Sequence, residues 1–222
     1  MPSPDSIEIS DQAIGEALSP FTVSTTKDQI AKIRAYTQLL LRWNRTVNLT
    51  SITDPAEIVR RHFGESVFAS KLLPVENCRL ADVGTGAGFP GMALKITCPG
   101  IQLILIESNK RKCAFLSEVV RSLEFTGVDI IADRFEQIRP EAVLANVITS
   151  RAVGEFKQLL SWSKGGLARR GHLMIWVGAE DSTRISRDRD WIWQPPEHIP
   201  DSQRRYILIG RPIEGATPGL NS

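Results

Sequence analysis

The stretch "RLADVGTGAGFPGMAL", residues 79–94, sets four glycines within eight positions between a short apolar run and a segment able to form a helix, with Asp82 just ahead of the first glycine. Strand, turn and helix in that order put the turn at the carboxyl end of a first strand, where doubly wound sheets take their ligands. Gly84, Gly86 and Gly88 let the backbone reach positive φ and approach a ligand closely, and Gly91 allows tight packing of the following helix. Downstream, "LILI" at 103–106, "VDII" at 128–131, "VITS" at 147–150 and "LMIWV" at 173–177 alternate with amphipathic segments. That rhythm predicts an α/β fold with a mostly parallel sheet, crossover helices covering both faces. "WIW" at 191–193 and "RYILI" at 205–209 leave little room for a helix between them, so they are expected to pair antiparallel at one edge.

Upstream of the turn the pattern is helical. Thr26 with Gln29 forms a capping box ahead of Ile30, Ile33, Thr37 and Leu40. Asp54, Pro55 and Glu57 supply an N-cap, a proline at N1 and a first-turn acid for a second helix with Ile58, Phe63, Val67 and Leu72 as its apolar stripe. The expected organisation is a flexible N-terminus over 1–25, a helical extension over 26–75, a ligand-binding domain over 76–211 and a flexible tail over 212–222.

The chain has 222 residues, enough for one main core, with 42% hydrophobic and 23% charged residues. It contains no apolar run of about 18 residues and opens without an export signal, so no membrane association and a cytoplasmic location are expected. Cys78, Cys98 and Cys113 lack the paired spacing of a zinc site, and His172 and His198 have no partner at ligand spacing, so no metal is expected. A net charge of +2 does not by itself announce nucleic acid, but its distribution is uneven. Arg60, Arg61 and His62 lie together before the glycine turn. Lys110, Arg111 and Lys112 lie after it, in the first turn of the helix 110–123, where cations oppose the helix macrodipole. A rule broken three times beside a ligand cleft points to a polyanionic substrate.

Two ligand classes compete for the turn. A dinucleotide brings an anionic pyrophosphate to the helix N-terminus, whereas S-adenosylmethionine brings a sulfonium and an ammonium. The carboxylate of Asp82 repels the first and attracts the second. A hydride-transfer enzyme of the short-chain type would also want Tyr-x-x-x-Lys, and Tyr36 and Tyr206 are followed four places on by Leu40 and Gly210. Glu107, with Ser108 beside it, ends the second strand nineteen residues after Gly88, where a carboxylate accepts the ribose hydroxyls of an adenosine. Phe135 or Glu136 is placed to meet the adenine.

"WNRTVNLT" at 43–50, "RH" at 61–62, "DVGTGAGFPG" at 82–91 and "SRA" at 150–152 together resemble the bacterial small-subunit ribosomal RNA guanine-N7 methyltransferases, the RsmG or GidB family. The likeness runs over about residues 36–180. It implies a class I methyltransferase, Rossmann-like with a seven-stranded sheet, using S-adenosyl-L-methionine. It further implies cofactor contacts at Gly84, Phe89, the Phe135–Glu136 pair and Arg151. The expected reaction is methylation of guanine N7 in 16S ribosomal RNA or the small ribosomal subunit by a monomer, through positioning and with no general base. Asn48, Arg60, Arg61, His62, Lys110, Arg111 and Lys112 are the expected RNA contacts. Asn48 could alternatively brace the "NLT" turn, and Arg151 could hold either the cofactor's carboxylate or RNA. "IWVG" at 175–178 departs from the family, which often has lysine where Val177 stands; Arg205 is the expected substitute cation. Rival readings are another methyltransferase on this scaffold, a non-catalytic RNA-binding assembly factor, and a nicotinamide-dependent reductase.

Overall fold

The computed structural model describes residues 9–151, 154 and 156–213. Five parallel strands form most of the sheet: β1 (Arg79–Val83), β2 (Gln102–Ile106), β3 (Val128–Ile131), β4 (Ala145–Ser150) and β5 (Leu167–Gly178). β8 (Arg205–Pro212) runs antiparallel to β5 and pairs with β6 (Trp191–Trp193) and with the two-residue β7 (Glu197–His198). The strand order is β3-β2-β1-β4-β5-β8-β6, with β7 beside β8, so the sheet has eight strands where seven were expected. The order reverses between β1 and β4, which makes the carboxyl ends of β1, β2 and β4 the ligand side.

Side chains alternate along the strands and divide the interior in two. Leu80, Leu103, Leu105, Met174 and Trp176 face one core, with α5 (Gly91–Thr97) and α6 (Lys110–Ser122). Ala81, Val83, Ile104, Ile148 and Ile175 face the other, with α7 (Phe156–Gly166) and α8 (Ala179–Ile185). Helices therefore cover both faces.

The N-terminal helices belong to the first core instead of standing beside it. Ile33, Tyr36 and Leu40 of α2 (Lys27–Asn44) are fully buried in the same cluster as Met92 and Phe115. The capping box of Thr26 with Gln29 opens this helix. Residues 9–25 correct the expectation of a loose terminus. Ser10 caps α1 (Asp11–Leu18), and burial of Ile14, Leu18 and Phe21 ties the segment down. The stretches 1–8 and 214–222, expected to be flexible, lie outside the described residues, as does Ala152; Pro212, expected to begin the tail, closes β8.

The second N-terminal helix is also not continuous. α3 (Pro55–Ile58), capped by Asp54, widens into a π-helical turn over Val59–Gly64 before α4 (Glu65–Val67). Five residues separate Ile58 from Phe63, one more than an α-helical stripe tolerates. The wide turn absorbs the extra residue and leaves both side chains fully buried. The next residue, Gly64, packs directly against Phe21.

Candidate active site

The loop after β1 carries the geometry expected of it. Gly84, Gly86 and Gly88 have φ of 67°, 58° and 89°. Gly86 and Gly88 face different surroundings. A side chain at Gly86 would meet only the Gly84 carbonyl, at 3.9 Å, so that position is open to a ligand. A Cβ at Gly88 would stand 2.1 Å from the Tyr36 hydroxyl, so Gly88 faces the core. Tyr36 Oη donates to the Ala87 carbonyl at 2.7 Å, clamping the loop from below.

Asp82 does not stand at the doorway. It is fully buried. Thr85 Oγ1 and the Gly91 amide donate to its Oδ2 at 2.6 and 2.9 Å, and Thr149 Oγ1 donates to its Oδ1 at 2.9 Å. Its carboxylate closes the loop onto β4 and α5 and has no surface left for direct contact with a ligand, which corrects the expectation of a cofactor contact. Burial raises its pKa to about 6 against those three hydrogen bonds and the more distant Arg151. Holding it ionised at neutral pH costs on the order of 3 kcal/mol.

Glu107 is held where expected. Its Oε2 accepts from the Gly86 amide at 3.0 Å and its Oε1 from the Asn109 amide at 2.8 Å. Each oxygen keeps a lone pair for a further donor. A cleft of about 180 Å³ opens beside it, lined by Gly84, Glu107, Ser108, Phe135 and Glu136 among others. Five of the expected cofactor residues thus converge on one cleft, and Phe135 in its lining packs edge-on against Trp162. The fit is to a nucleoside whose hydroxyls donate, since the cleft offers an anionic acceptor at its centre. Phe89 lies elsewhere. Its side chain is 5% exposed and sandwiched between Tyr36 and His62, with ring centroids at 5.5 and 4.9 Å, so only its backbone remains for a ligand.

His62 likewise leaves the expected RNA-binding set. Besides stacking on Phe89, its Nε2 bonds Thr50 Oγ1 at 2.8 Å. Burial, then Arg151 and Arg61, push its pKa down to about 3, so the ring is neutral at physiological pH and offers no charge to a phosphate. Arg60 is partly committed, to Glu57 at 3.6 Å and Asp201 at 3.3 Å. Lys110 and Arg111 are exposed and Lys112 half-buried; none is paired with a carboxylate among the described residues. Asn109 caps their helix, its Oδ1 accepting from the Arg111 and Lys112 amides at 2.9 and 3.3 Å. The "NLT" turn is braced by Asn44, whose side chain accepts from Leu49 and Thr50 amides and donates to the Thr50 carbonyl. Asn48 is exposed and takes no part in that brace.

Arg151 leaves the end of β4 toward the N-terminal helices. Its Nη2 donates to the Arg61 carbonyl at 2.8 Å and lies 3.5 Å from Glu65 Oε2. Glu65, which the sequence reading passed over, is 2% exposed and also meets Arg205 Nη2 at 2.8 Å and Arg61 Nε at 3.8 Å. Burial raises its pKa while Arg151, Arg205 and Arg61 pull it back. Trp176 Nε1 donates to the Glu65 carbonyl at 3.1 Å. Arg205 pairs across the sheet with Gly178, next to Val177. The one signal for Glu65 in the sequence is a lone acid three positions after the basic run "RRH" at 60–62.

A parallel sheet reversing at β1/β4, a glycine turn and an acid ending β2 define a class I methyltransferase. Among solved structures, the fold is similar to a "SAM dependent methyltransferase" from Aquifex aeolicus, with a TM-score of 0.59 at 15% identity, covering 71% of this chain and 93% of that one. The chain belongs to the GidB family, rRNA small subunit methyltransferase G, which it matches over residues 29–195. It is 44% identical to the "Ribosomal RNA small subunit methyltransferase G" of Dichelobacter nodosus over 67% of this chain and 69% of that protein. To the protein of the same name from Xylella fastidiosa strain 9a5c it is 40% identical over 82% of this chain and 86% of that protein.

Proposed function

We propose that this protein transfers a methyl group from S-adenosyl-L-methionine to N7 of a guanine in 16S ribosomal RNA of the small subunit. The observation that carries the reading is the open Gly84–Gly86 turn beside the Glu107 carboxylate, in a chain belonging to an rRNA methyltransferase family. Gly84, Gly86, Glu107, Ser108, Phe135 and Glu136 hold the adenosine, and Asp82, Gly88 and Phe89 fix the turn from behind. The cofactor supplies a methyl group on a positively charged sulfur. Guanine N7 carries a lone pair and no proton. That lone pair would take the methyl directly, with the carbon–sulfur electron pair left on sulfur and the positive charge on the base. No proton has to be removed, so the protein's contribution is to hold nucleophile and methyl in line.

N7 lies in the major groove, which in A-form RNA is too deep and narrow for side chains, so the target lies in a loop or is flipped from its stack. The exposed Lys110 and Arg111 and the half-buried Lys112, with Arg60 and Arg61 from the N-terminal helices, hold phosphates, and Asn48 is free to read a base edge. The protein acts in the cytoplasm as a monomer; no helix among the described residues is long and apolar enough to cross a membrane. The test is to map methylated nucleotides in small-subunit rRNA from cells with and without this gene, and to follow methyl transfer by the purified protein against pH. One N7-methylguanine is expected to vanish with the gene, with a chemical step flat between moderately acidic and moderately basic pH. A bell-shaped profile for that step would contradict positioning without an acid and base.

A further inference from the structure

Glu65 gathers three guanidinium groups, that of Arg61 one helical turn before it and those of Arg151 and Arg205 from distant parts of the chain. Three cations on one carboxylate leave a formal excess of +2. Among the described residues the neighbouring acids reduce this excess without meeting it: Asp181 pairs with Arg184, Asp201 with Arg60, and Asp82, hydrogen-bonded only by neutral groups, acts on Arg151 from a distance. Arg61 Nε, Arg151 Nη1 and Arg205 Nε are buried without a hydrogen-bond partner. Unmet buried donors with surplus positive charge oppose folding unless an anion meets them in use. Beside the cluster is a cavity of about 440 Å³ whose lining includes the charged Glu65, Arg151, Arg205, Asp181 and Arg184 together with the apolar Phe156, Trp176 and Val177.

A cavity lined by both aromatic or apolar side chains and guanidinium groups suits a nucleotide, with the base against the former and the phosphate on the latter. The cofactor's carboxylate needs one of these cations, not three. Arg205 stands on β8, three strand spacings or roughly 14 Å from β1 and farther from the adenosine cleft at β2. We propose that this cavity seats the acceptor nucleotide, its flanking phosphate on Arg151 and Arg205, and that Glu65 is the positioning residue that holds the guanidinium groups in place before RNA arrives. The proposal rests on the methyltransferase reading above. Arg205 thereby brings a cation to the end of β5, where Val177 supplies none.

The test compares Arg205→Gln, Arg205→Lys and Glu65→Gln with the unaltered protein, using 16S rRNA or small subunits as acceptor and calorimetry for S-adenosylmethionine. Arg205→Gln is expected to raise the KM for RNA about tenfold, to keep cofactor affinity within about twofold, and to reduce the log–log salt slope of RNA binding by about one. Arg205→Lys restores most of the loss. Glu65→Gln lowers kcat about tenfold or more without raising the KM for RNA, because the cations remain but are no longer held; a purely structural role would lower thermal stability and leave that split unmoved. The Arg205 side chain is 32% exposed, so its variants decide the matter if Glu65→Gln does not fold. An unchanged KM for RNA in Arg205→Gln, or an equal loss of cofactor affinity, overturns the assignment. No methyl transfer to RNA by the unaltered protein overturns the functional reading, and this inference with it.

Discussion

At the β2 end of the cleft the ligand-facing groups are close in sequence: the Gly86 and Asn109 amides both donate to Glu107, and Phe135 follows one strand later. At the β4–β5 end, Arg151 and Arg205 reach the local Arg61–Glu65 pair only when the sheet docks against the N-terminal helices. The first end is built on a strand–turn–helix unit whose backbone amides hold the Glu107 carboxylate in place. The second is a cluster of ionised side chains whose attraction for a polyanion is long-ranged and screened by salt. One end is suited to a small nucleoside recognised by geometry; the other is suited to a large charged partner recognised by field.

The largest expected effect comes from the hidden side of the glycine turn. Gly88→Ala forces a Cβ against the Tyr36 hydroxyl at a φ of 89°, and is expected to cost about 3 kcal/mol or more of stability by denaturant unfolding. Gly86→Ala meets open space and is expected to cost only about 1–2 kcal/mol, while weakening S-adenosylmethionine binding. Equal destabilisation by the two would break the distinction between a core-facing and a ligand-facing glycine. Next, Glu107→Ala removes an anionic acceptor from the adenosine cleft and is expected to cost roughly 2 kcal/mol of cofactor affinity, about 30-fold, with RNA affinity unchanged. A parallel loss of RNA affinity would merge the two ends into one site.

The smallest effects concern pH. His62 stays neutral in the fold down to about pH 3 but gains a proton in the unfolded chain below its ordinary 6.5. The unfolded chain then binds more protons in that window, so stability falls as pH drops through it. Asp82 has the opposite sign: its folded pKa of about 6 exceeds the ordinary 3.8, so the folded chain binds more protons between those values and stability falls as pH rises. The two contributions offset each other between about pH 4 and 6. His62→Phe, which keeps a ring on Phe89, is expected to flatten the acid-side loss, and Asp82→Asn to steepen it. Urea unfolding between pH 4.5 and 7 reads both; slopes that shift in the same direction would refute the opposed signs.

The sequence disclosed what is local. The glycine turn, Glu107, the capping boxes and the alternating strands are each written within a few residues, and the antiparallel β6–β8 edge follows from a spacing too short for a helix. What depends on packing between distant segments was hidden. Asp82 reads as a doorway charge, but whether a strand-end carboxylate faces ligand or loop depends on Thr149, sixty-seven positions on. His62 sits in a run of basic residues, and burial in the fold, with Arg151 and Arg61 beside it, makes it neutral. Glu65 looks like an ordinary helix acid until β4 and β8 bring their arginines to it. Asn44, four places before Asn48, took the bracing role because its side chain reaches back from the helix end to the turn's amides.

The most direct check is calorimetric titration of the purified protein with S-adenosylmethionine and, separately, with NADH. One equivalent of the methyl donor is expected to bind, with that affinity greatly reduced in Glu107→Ala, and NADH to give no binding heat. Uptake of NADH with indifference to the methyl donor would contradict the assignment of the β1–β2 cleft to an adenosyl sulfonium.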